Sequence, residues 1–158
     1  MDRSTKRERL LNKLERAWRS LRSSYAGLTN EQMQRPGVTG EWSVKDILGH
    51  ISWWEEEAIK HLPTILQGGR PGRYSVEYGG IDAFNALMSR QRGAETLARV
   101  QQRLEDTHAQ LIEYLHSIPD EQFASDTRFY RRLKLDTYGH YAIHEGAIWD
   151  WRRRTGTA

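Results

Sequence analysis

The chain contains no cysteine among its 158 residues. Disulfides, thiolate nucleophiles and thiolate metal ligands are therefore excluded, and any metal site must use histidine, aspartate or glutamate. The sequence also lacks an apolar run long enough to cross a membrane, and its first nine residues hold no apolar signal core. We therefore expect a soluble, cytoplasmic protein without a membrane partner.

The sequence also has almost no excess of positive over negative charge. The chain has 24 lysines and arginines against 21 aspartates and glutamates, a formal net charge of +3. That excess is too small to indicate nucleic-acid binding by itself, and the basic residues near both ends fit solvated helix faces. Aromatic residues, by contrast, are plentiful, since six Trp, seven Tyr and three Phe are available to fill a core.

Four amphipathic segments show apolar residues that recur three and four positions apart, which predicts helices. They cover roughly residues 3–26, 44–62, 97–118 and 135–154. We expect Pro63 to kink or end the second helix, and we expect residues 120–134 to be a connection. No stretch reads convincingly as a strand, so the sequence predicts an all-α four-helix bundle that spans residues 1–158 as one domain.

A short additional helix is predicted between the second and third long helices. It covers residues 81–92. The preceding residues 67–80 carry five glycines and one proline, which predicts a loop that serves either as a lid or as a simple connection.

The sequence repeats itself weakly at a constant offset of 90 residues. The matched pairs are Leu14 and Leu104, Leu21 and Leu111, Asp46 and Asp136, Gly49 and Gly139, His50 and His140, and Glu55 and Glu145. We infer two related helix pairs about a pseudo-twofold axis, with His50 facing His140. The glycines beside these histidines are expected to let the second and fourth helices approach each other.

Two positions break the repeat. Trp54 stands where the second half has His144, and His108 stands where the first half has Trp18. His140 and His144 are four residues apart and share one face of a helix. Together with His50 they predict a three-histidine site for one divalent ion, with an open position for water or substrate.

Further residues are candidates for supporting roles, each with a simpler structural alternative. Asp46 and Asp136 lie one turn before His50 and His140, so each either orients an imidazole or serves only as a cap or first-turn residue. Asn85 on the short helix either meets substrate or is a surface amide.

Four more residues complete the set of candidates. Glu55 is either a general base or an exposed carboxylate. His108 belongs either to the core or rim of the bundle or to the site. Trp54 belongs to a tryptophan-rich set that lines an apolar pocket or fills the core, and Tyr138 is a further substrate or catalytic candidate. The set consists of Trp42, Trp53, Trp54, Trp149 and Trp151.

Three stretches together resemble a known family. They are Gly40–Glu55, Asp82–Ala86 and Tyr138–His144. The combination is similar to the DinB-like superfamily of bacterial four-helix bundles, and to its ClbS/DfsB branch in particular. The resemblance implies that one histidine of the second helix and a His-x-x-x-His pair of the fourth bind a divalent metal, commonly zinc or nickel. Those positions match His50, His140 and His144 here.

The resemblance also suggests an activity, because members include thiol-dependent transferases and hydrolase-like proteins. We expect a metal-dependent hydrolase or thiol-dependent transferase that acts on a small electrophilic molecule. Since the chain has no cysteine, a thiol would have to come from a low-molecular-weight cofactor. The alternatives are a non-catalytic self-resistance protein that sequesters a small molecule and a DNA-damage-associated stress protein. A homodimer through an exposed helix face is compatible with the sequence.

Overall fold

The computed structural model describes residues 3–157, and every regular element in that range is a helix. The helices are α1 (Lys6–Tyr25), α2 (Asn30–Met33), α3 (Val44–Leu66), α4 (Tyr74–Glu77), α5 (Ile81–Arg92), α6 (Leu97–His116), α7 (Arg128–Asp136) and α8 (Tyr138–Thr155). A single 3₁₀ turn, Asp120–Phe123, lies between α6 and α7. The all-α prediction, including the short helix before the third long one, is confirmed.

Capping boxes fix the start of two of the long helices. The Thr5 hydroxyl accepts a hydrogen bond from the backbone N–H of Glu8, whose carboxylate accepts one from the Thr5 N–H in return. Ser43 and Asp46 form the same reciprocal pair at the start of α3. Each box satisfies two backbone donors that would otherwise lack partners at a helix end.

Two sequence-based predictions about the connections were wrong. Pro63 was expected to kink or end the second long helix, and of these the ending is excluded: the helix runs on to Leu66, because a proline in the last turn removes only one helical hydrogen bond. The predicted loop at residues 67–80 contains the single-turn helix α4. The predicted connection at residues 120–134 contains the 3₁₀ turn and most of α7, which Phe129 and Leu133 anchor in the core.

The last long helix also begins later than predicted. Leu135 and Asp136 belong to α7, and Thr137 breaks the helix with φ −126° and ψ −107°. A Cβ on Gly139 would lie 2.9 Å from the carbonyl oxygen of Lys134, so this tight turn requires glycine. Gly139 therefore serves the α7–α8 junction, whereas a Cβ on Gly49 would meet nothing within 4 Å.

The four long helices α1, α3, α6 and α8 form the bundle. α3 packs most closely against α6, and α1 packs most closely against α8. Exchanging the two halves of the chain converts one of these contacts into the other, as the internal repeat predicts. Two looser seams remain, one between α3 and α8 and one between α1 and α6.

One apolar cluster joins all four long helices. Its fully buried members include Leu14, Leu21, Ile47, Leu48, Leu104, Leu111 and Ile148. A smaller cluster of Trp53, Trp54 and Phe84 joins α3 to α5. None of the helices in residues 3–157 has both the length and the apolar character of a membrane-spanning segment.

Candidate metal centre

Three histidines meet at the seam between α3 and α8. The Nε2 atoms of His50 and His140 are 2.8 Å apart, and those of His140 and His144 are 2.9 Å apart. His50 and His144 are buried, while His140 is half-buried. Taking one ligand atom from each residue, all three atoms lie within 4.8 Å of one another. The structure thus brings together the three residues that the repeat and the His-x-x-x-His spacing single out.

Burial keeps these imidazoles neutral. It lowers the pKa of His50 to about 2, that of His140 to about 3 and that of His144 to about 4, against an ordinary value of 6.5. For His50 and His140 the nearby imidazoles lower the pKa further, because two positive charges at this distance repel each other. Neutral imidazole is the form that binds metals.

The arrangement fits a divalent cation. Each Nε2 atom carries either a proton or a lone pair, so three atoms that face one another are satisfied together when all three direct lone pairs at one cation. Nitrogen ligands about 2.0–2.1 Å from a tetrahedral zinc ion lie roughly 3.3 Å apart, close to the separations observed here. On a tetrahedral ion, three protein ligands would leave a fourth position for water or substrate.

No carboxylate orients the three imidazoles within the described part of the chain. The Nδ1 atoms of His50, His140 and His144 are buried and make no hydrogen bond there. Asp46 is occupied by its capping box with Ser43. The suggestion that Asp46 orients a ligand is therefore not supported, because its carboxylate satisfies the start of α3 instead.

Asp136 hydrogen-bonds to Arg132 and to none of the three histidines within residues 3–157. It ends α7 and forms an ion pair with Arg132, with Oδ2 2.6 Å from Nε. Two roles were suggested for Asp136, to orient His140 or to stabilise the first turn of the fourth long helix. Both assumed that this helix begins before residue 136. Burial raises the pKa of Asp136 to about 6, although the Arg132 guanidinium acts in the opposite direction.

The rings of Trp42, Trp53 and Trp54 form an aromatic wall beside the three histidines. The ring of Trp42 lies 4.7 Å from that of His50, and the ring of Trp54 lies 6.5 Å from those of both His50 and His140. Asn85 holds the wall together, since its Oδ1 accepts hydrogen bonds from the indole N–H groups of Trp53 at 3.0 Å and Trp54 at 2.9 Å. This fixed contact was not foreseen for Asn85.

The single-turn helix α4, which precedes α5, packs against the same aromatic wall. The Tyr74 ring of α4 lies 5.4 Å from that of Trp54. Its hydroxyl donates a hydrogen bond to Glu57 at 3.0 Å and accepts one from Arg132 at 2.8 Å. Burial raises the pKa of Tyr74 above its usual 10, so the phenol stays protonated and can donate. Sequence reasoning missed Tyr74, Glu57 and Arg132, because no spacing pattern links three separate elements.

Glu55 and His108 form a separate buried group. Glu55 is fully buried, which excludes the exposed carboxylate that the sequence left open. Its Oε1 accepts a hydrogen bond from the Tyr141 hydroxyl and lies 3.1 Å from Nδ1 of His108. Burial, followed by the Glu55 charge, raises the pKa of Tyr141 well above its usual value. Neither Glu55 nor His108 hydrogen-bonds to the three histidines of the α3–α8 seam.

The remaining candidates lie elsewhere. The Tyr138 hydroxyl donates to that of Tyr130, and the Lys13 ammonium lies 4.9 Å from the centre of the Tyr138 ring. The tryptophans that were grouped together are divided by the structure. Trp42, Trp53 and Trp54 line the wall beside the histidines, whereas Trp151 fills the core and Trp149 lies at the surface under Arg152.

Comparison with known proteins agrees with this fold. A family model described as the DinB superfamily matches residues 13–147, and the chain belongs to that family. The resemblance to the DinB-like superfamily is thereby confirmed. A search of proteins of curated function gave no significant match.

Several solved structures share the fold over nearly the whole chain. An uncharacterised protein from Escherichia coli UTI89 superposes with a TM-score of 0.81 at 14% identity, covering 98% of this chain and 96% of that one. The sibling lethal factor precursor DfsB gives 0.77 at 14% identity, with 99% and 100% covered. The colibactin self-resistance protein ClbS, solved in complex with a double-stranded DNA, gives 0.75 at 14% identity, with 90% and 92% covered. At this identity the likeness establishes the fold alone.

Proposed function

We propose that His50, His140 and His144 hold one divalent ion, zinc or nickel, and that the protein is an enzyme acting on a small electrophilic molecule. The observation that carries this proposal is the convergence of three neutral imidazoles, two buried and one half-buried, with Nε2 separations of 2.8 and 2.9 Å. A bound divalent ion would lower the pKa of water or of a thiol and polarise the electrophile. Either metal is possible at this site, because three-histidine ligand sets bind several first-row divalent ions.

The surroundings of the three histidines favour a thiol as the attacking group. No carboxylate of residues 3–157 hydrogen-bonds to them, and Glu55 is held by Tyr141 and His108. The proton of the nucleophile must therefore pass to solvent. A thiol with an ordinary pKa of about 8.5 loses its proton more readily than water does, at about 15.7. The chain has no cysteine, so the thiol is a co-substrate.

The aromatic wall supplies the binding surface for the electrophile. Trp42 and Trp54 flank the histidines and are themselves held by packing and by Asn85. Rigid, largely apolar rings bind the apolar body of a small molecule and keep water away from the reacting atoms. The substrate class that fits is a small, partly apolar electrophile.

Elemental analysis of tag-free protein tests the first step. Wild type should carry about one equivalent of zinc or nickel, His140→Ala should carry far less, and His116→Ala, an exposed histidine of α6, should match wild type. Absence of metal from wild type even after reconstitution would sink the proposal. Once metal binding is established, the rate at which an electrophile is consumed is measured with and without a small thiol. A rate that requires the thiol indicates a transferase, and a rate that does not indicates a hydrolase.

A non-catalytic self-resistance role is the second candidate. The structural neighbour ClbS is described as a self-resistance protein, and the aromatic wall suits retention of a small molecule as well as its conversion. Recovery of chemically unaltered ligand from a tight complex, at every metal loading, would favour this role over catalysis.

Binding to DNA is a third candidate, with one local observation in its favour. ClbS was solved with a double-stranded DNA, and in this protein Lys6, Arg9 and Lys13 line a surface groove of about 400 Å³ between α1 and α7. Duplex affinity that falls steeply with salt, and that falls further in Lys13→Glu, would support it. Salt-independent or undetectable binding would exclude it.

A further inference from the structure

A second group of candidate side chains lies at the opposite seam of the bundle, between α1 and α6. At this seam Trp18 and His108, which occupy equivalent positions of the internal repeat, stack with ring centroids 3.6 Å apart and planes within 2°. Both rings line an open groove of about 810 Å³. That volume is in the range of small-molecule sites. The proposed metal ligands do not line this groove.

A buried carboxylate stands behind the stacked pair without a permanent countercharge. Glu55 is fully buried, and its hydrogen-bonding partners among residues 3–157 are Tyr141 and His108. No lysine or arginine pairs with it there. A buried charge that only polar groups accompany is costly, and a cation placed nearby offsets that cost.

The hydrogen bond to Glu55 also defines what His108 offers to the groove. Nδ1 of His108 lies 3.1 Å from Oε1 of Glu55, and a carboxylate oxygen accepts hydrogen bonds, so Nδ1 is the nitrogen that donates. A neutral ring that carries its proton on Nδ1 has a lone pair on Nε2. In that form His108 presents a hydrogen-bond acceptor, and a ligand with N–H groups is its complement.

The walls of the groove carry the same sign of charge. Carboxylates are contributed by Glu8 and Glu15 of α1 and by Glu113 of α6, and within the described chain no lysine or arginine lines the groove. Glu113 is exposed and forms no ion pair within residues 3–157, whereas Glu15 is paired with Arg19 at 2.8 Å. The other ionisable side chains are the imidazoles of His108 and His116. Between the carboxylates lie Leu11, Ala109 and Ile112, which offer an apolar surface.

We propose that this groove is a binding site for an organic amine, a cation with an apolar body. The ammonium group donates to Nε2 of His108 and is attracted by the Glu55 carboxylate behind it, while the apolar body lies on Leu11 and Ile112. The site is independent of the proposed metal centre, so either can exist without the other.

The test compares two probes of the same shape and opposite charge, 4-phenylbutylamine and 4-phenylbutyrate. Binding to the full-length, metal-loaded protein is measured by calorimetry and by NMR shifts of the Trp18 and His108 side chains. We expect the amine to bind at least tenfold more tightly than the carboxylate. We expect Glu55→Gln, which keeps the shape but removes the charge, to weaken amine binding several-fold. Equal affinities for the two probes, or no amine binding, would overturn the proposal.

Two matched substitutions on α6 locate the site. Ala109 and Ala98 are both exposed, but only Ala109 lines the groove. Ala109→Arg places a guanidinium in the groove and should weaken amine binding at least tenfold, whereas Ala98→Arg should leave it unchanged. An Ala109→Arg protein that binds the amine like wild type would refute the location.

The same set of proteins separates this site from its alternatives. His140→Ala should retain amine binding even without metal, and its loss there would assign the amine to the metal centre instead. A wild-type dimer that Ala109→Arg dissociates would show that a second copy of the chain occupies the groove, which would also overturn the proposal.

Discussion

Trp18 and His108 lie ninety residues apart in the chain and stack face to face, with ring centroids 3.6 Å apart. His50 and His140, at the same offset, bring their Nε2 atoms to 2.8 Å. Both pairs therefore lie at the looser seams of the bundle. The α3–α8 seam carries the three histidines, and the α1–α6 seam carries the stacked pair beside Glu55. At each seam the two halves differ by one histidine, His144 at the first and His108 at the second.

The first prediction concerns stabilisation by metal. A ligand that binds only the folded state at about 100 times its dissociation constant adds about 2.7 kcal/mol to the free energy of unfolding. For a chain of this length that corresponds to a rise of roughly 5–10 °C in the melting temperature. We expect zinc or nickel to produce such a rise in chelator-treated wild type, measured by circular dichroism. His144→Ala should show little rise, and an equal rise in that variant would argue against the three-histidine site.

The second prediction concerns acid and the metal-free protein. The pKa values of His50, His140 and His144 are about 2, 3 and 4 in the folded state, so the unfolded chain binds protons near pH 6.5 that the folded chain excludes. The stability that these groups contribute is complete above pH 6.5 and is lost as the pH falls towards 4 and below. Each group contributes a slope of about 1.4 kcal/mol per pH unit in that range.

Urea unfolding of chelator-treated protein between pH 4.5 and 7.5 measures this slope. His144→Gln, which removes one titrating group, should lose stability less steeply on acidification than wild type. His116→Ala should keep the wild-type slope, because that side chain is exposed. A slope that is the same in His144→Gln and wild type would mean that His144 titrates normally.

The sequence predicted those features that depend on regular spacing. The long helices follow from apolar residues three and four positions apart, and the meeting of His50 with His140 follows from the constant offset of the repeat. α7 was not predicted, because nine residues with two buried apolar side chains, Phe129 and Leu133, give too short a periodic signal. Its helix depends on packing that both residues find in the core of the bundle.

Partners of charged residues were the least predictable feature. Asp46 and Asp136 occupy equivalent positions of the repeat, yet one caps α3 and the other pairs with Arg132 at the end of α7. The difference arises because the break at Thr137 moves Asp136 out of α8. Whether Glu55 is exposed or buried depends on which helices cover it, and its spacing within α3 does not contain that information.

The third prediction follows from the buried Asp136 carboxyl. Its pKa is raised to about 6, chiefly by burial, against 3.8 in an unfolded chain. The folded state therefore takes up the proton more readily, so this contribution to stability is complete below about pH 4 and is lost as the pH rises to 6. In Asp136→Asn the dependence disappears. The difference in unfolding free energy between wild type and variant should change by about 1–3 kcal/mol across this range.

The Asp136 and histidine effects have opposite signs in overlapping pH ranges, so only the difference between the two proteins isolates the carboxyl. Both are measured in chelator, which removes any metal contribution, and the histidine terms then cancel. A difference that stays constant from pH 4 to 7 would show that Asp136 titrates alike in both states.

The fourth prediction concerns the aromatic wall. In Asn85→Ala the indole N–H groups of Trp53 and Trp54 lose their shared acceptor in a largely buried setting. Leaving such donors unpaired costs about 1–3 kcal/mol in the free energy of unfolding, measured by urea with tryptophan fluorescence as the probe. Asn85→Asp keeps an oxygen acceptor and should lose less. If Asn85→Asp is as destabilised as Asn85→Ala, the two hydrogen bonds are not the reason.

The fifth prediction concerns the segment that closes over this wall. The Tyr74 hydroxyl links α4 to α3 and α7, because it donates a hydrogen bond to Glu57 and accepts one from Arg132. Tyr74→Phe keeps the ring stacked on its aromatic neighbours but removes both hydrogen bonds, so residues 70–80 should exchange their amide protons faster while the bundle helices do not. Tyr78→Phe is the matched control, because that ring packs on Tyr74 and Phe84 but its hydroxyl makes no hydrogen bond within residues 3–157. Equal exchange in the two variants would show that ring packing alone holds the segment, whereas faster exchange confined to Tyr74→Phe would identify the Glu57–Tyr74–Arg132 contact as its anchor.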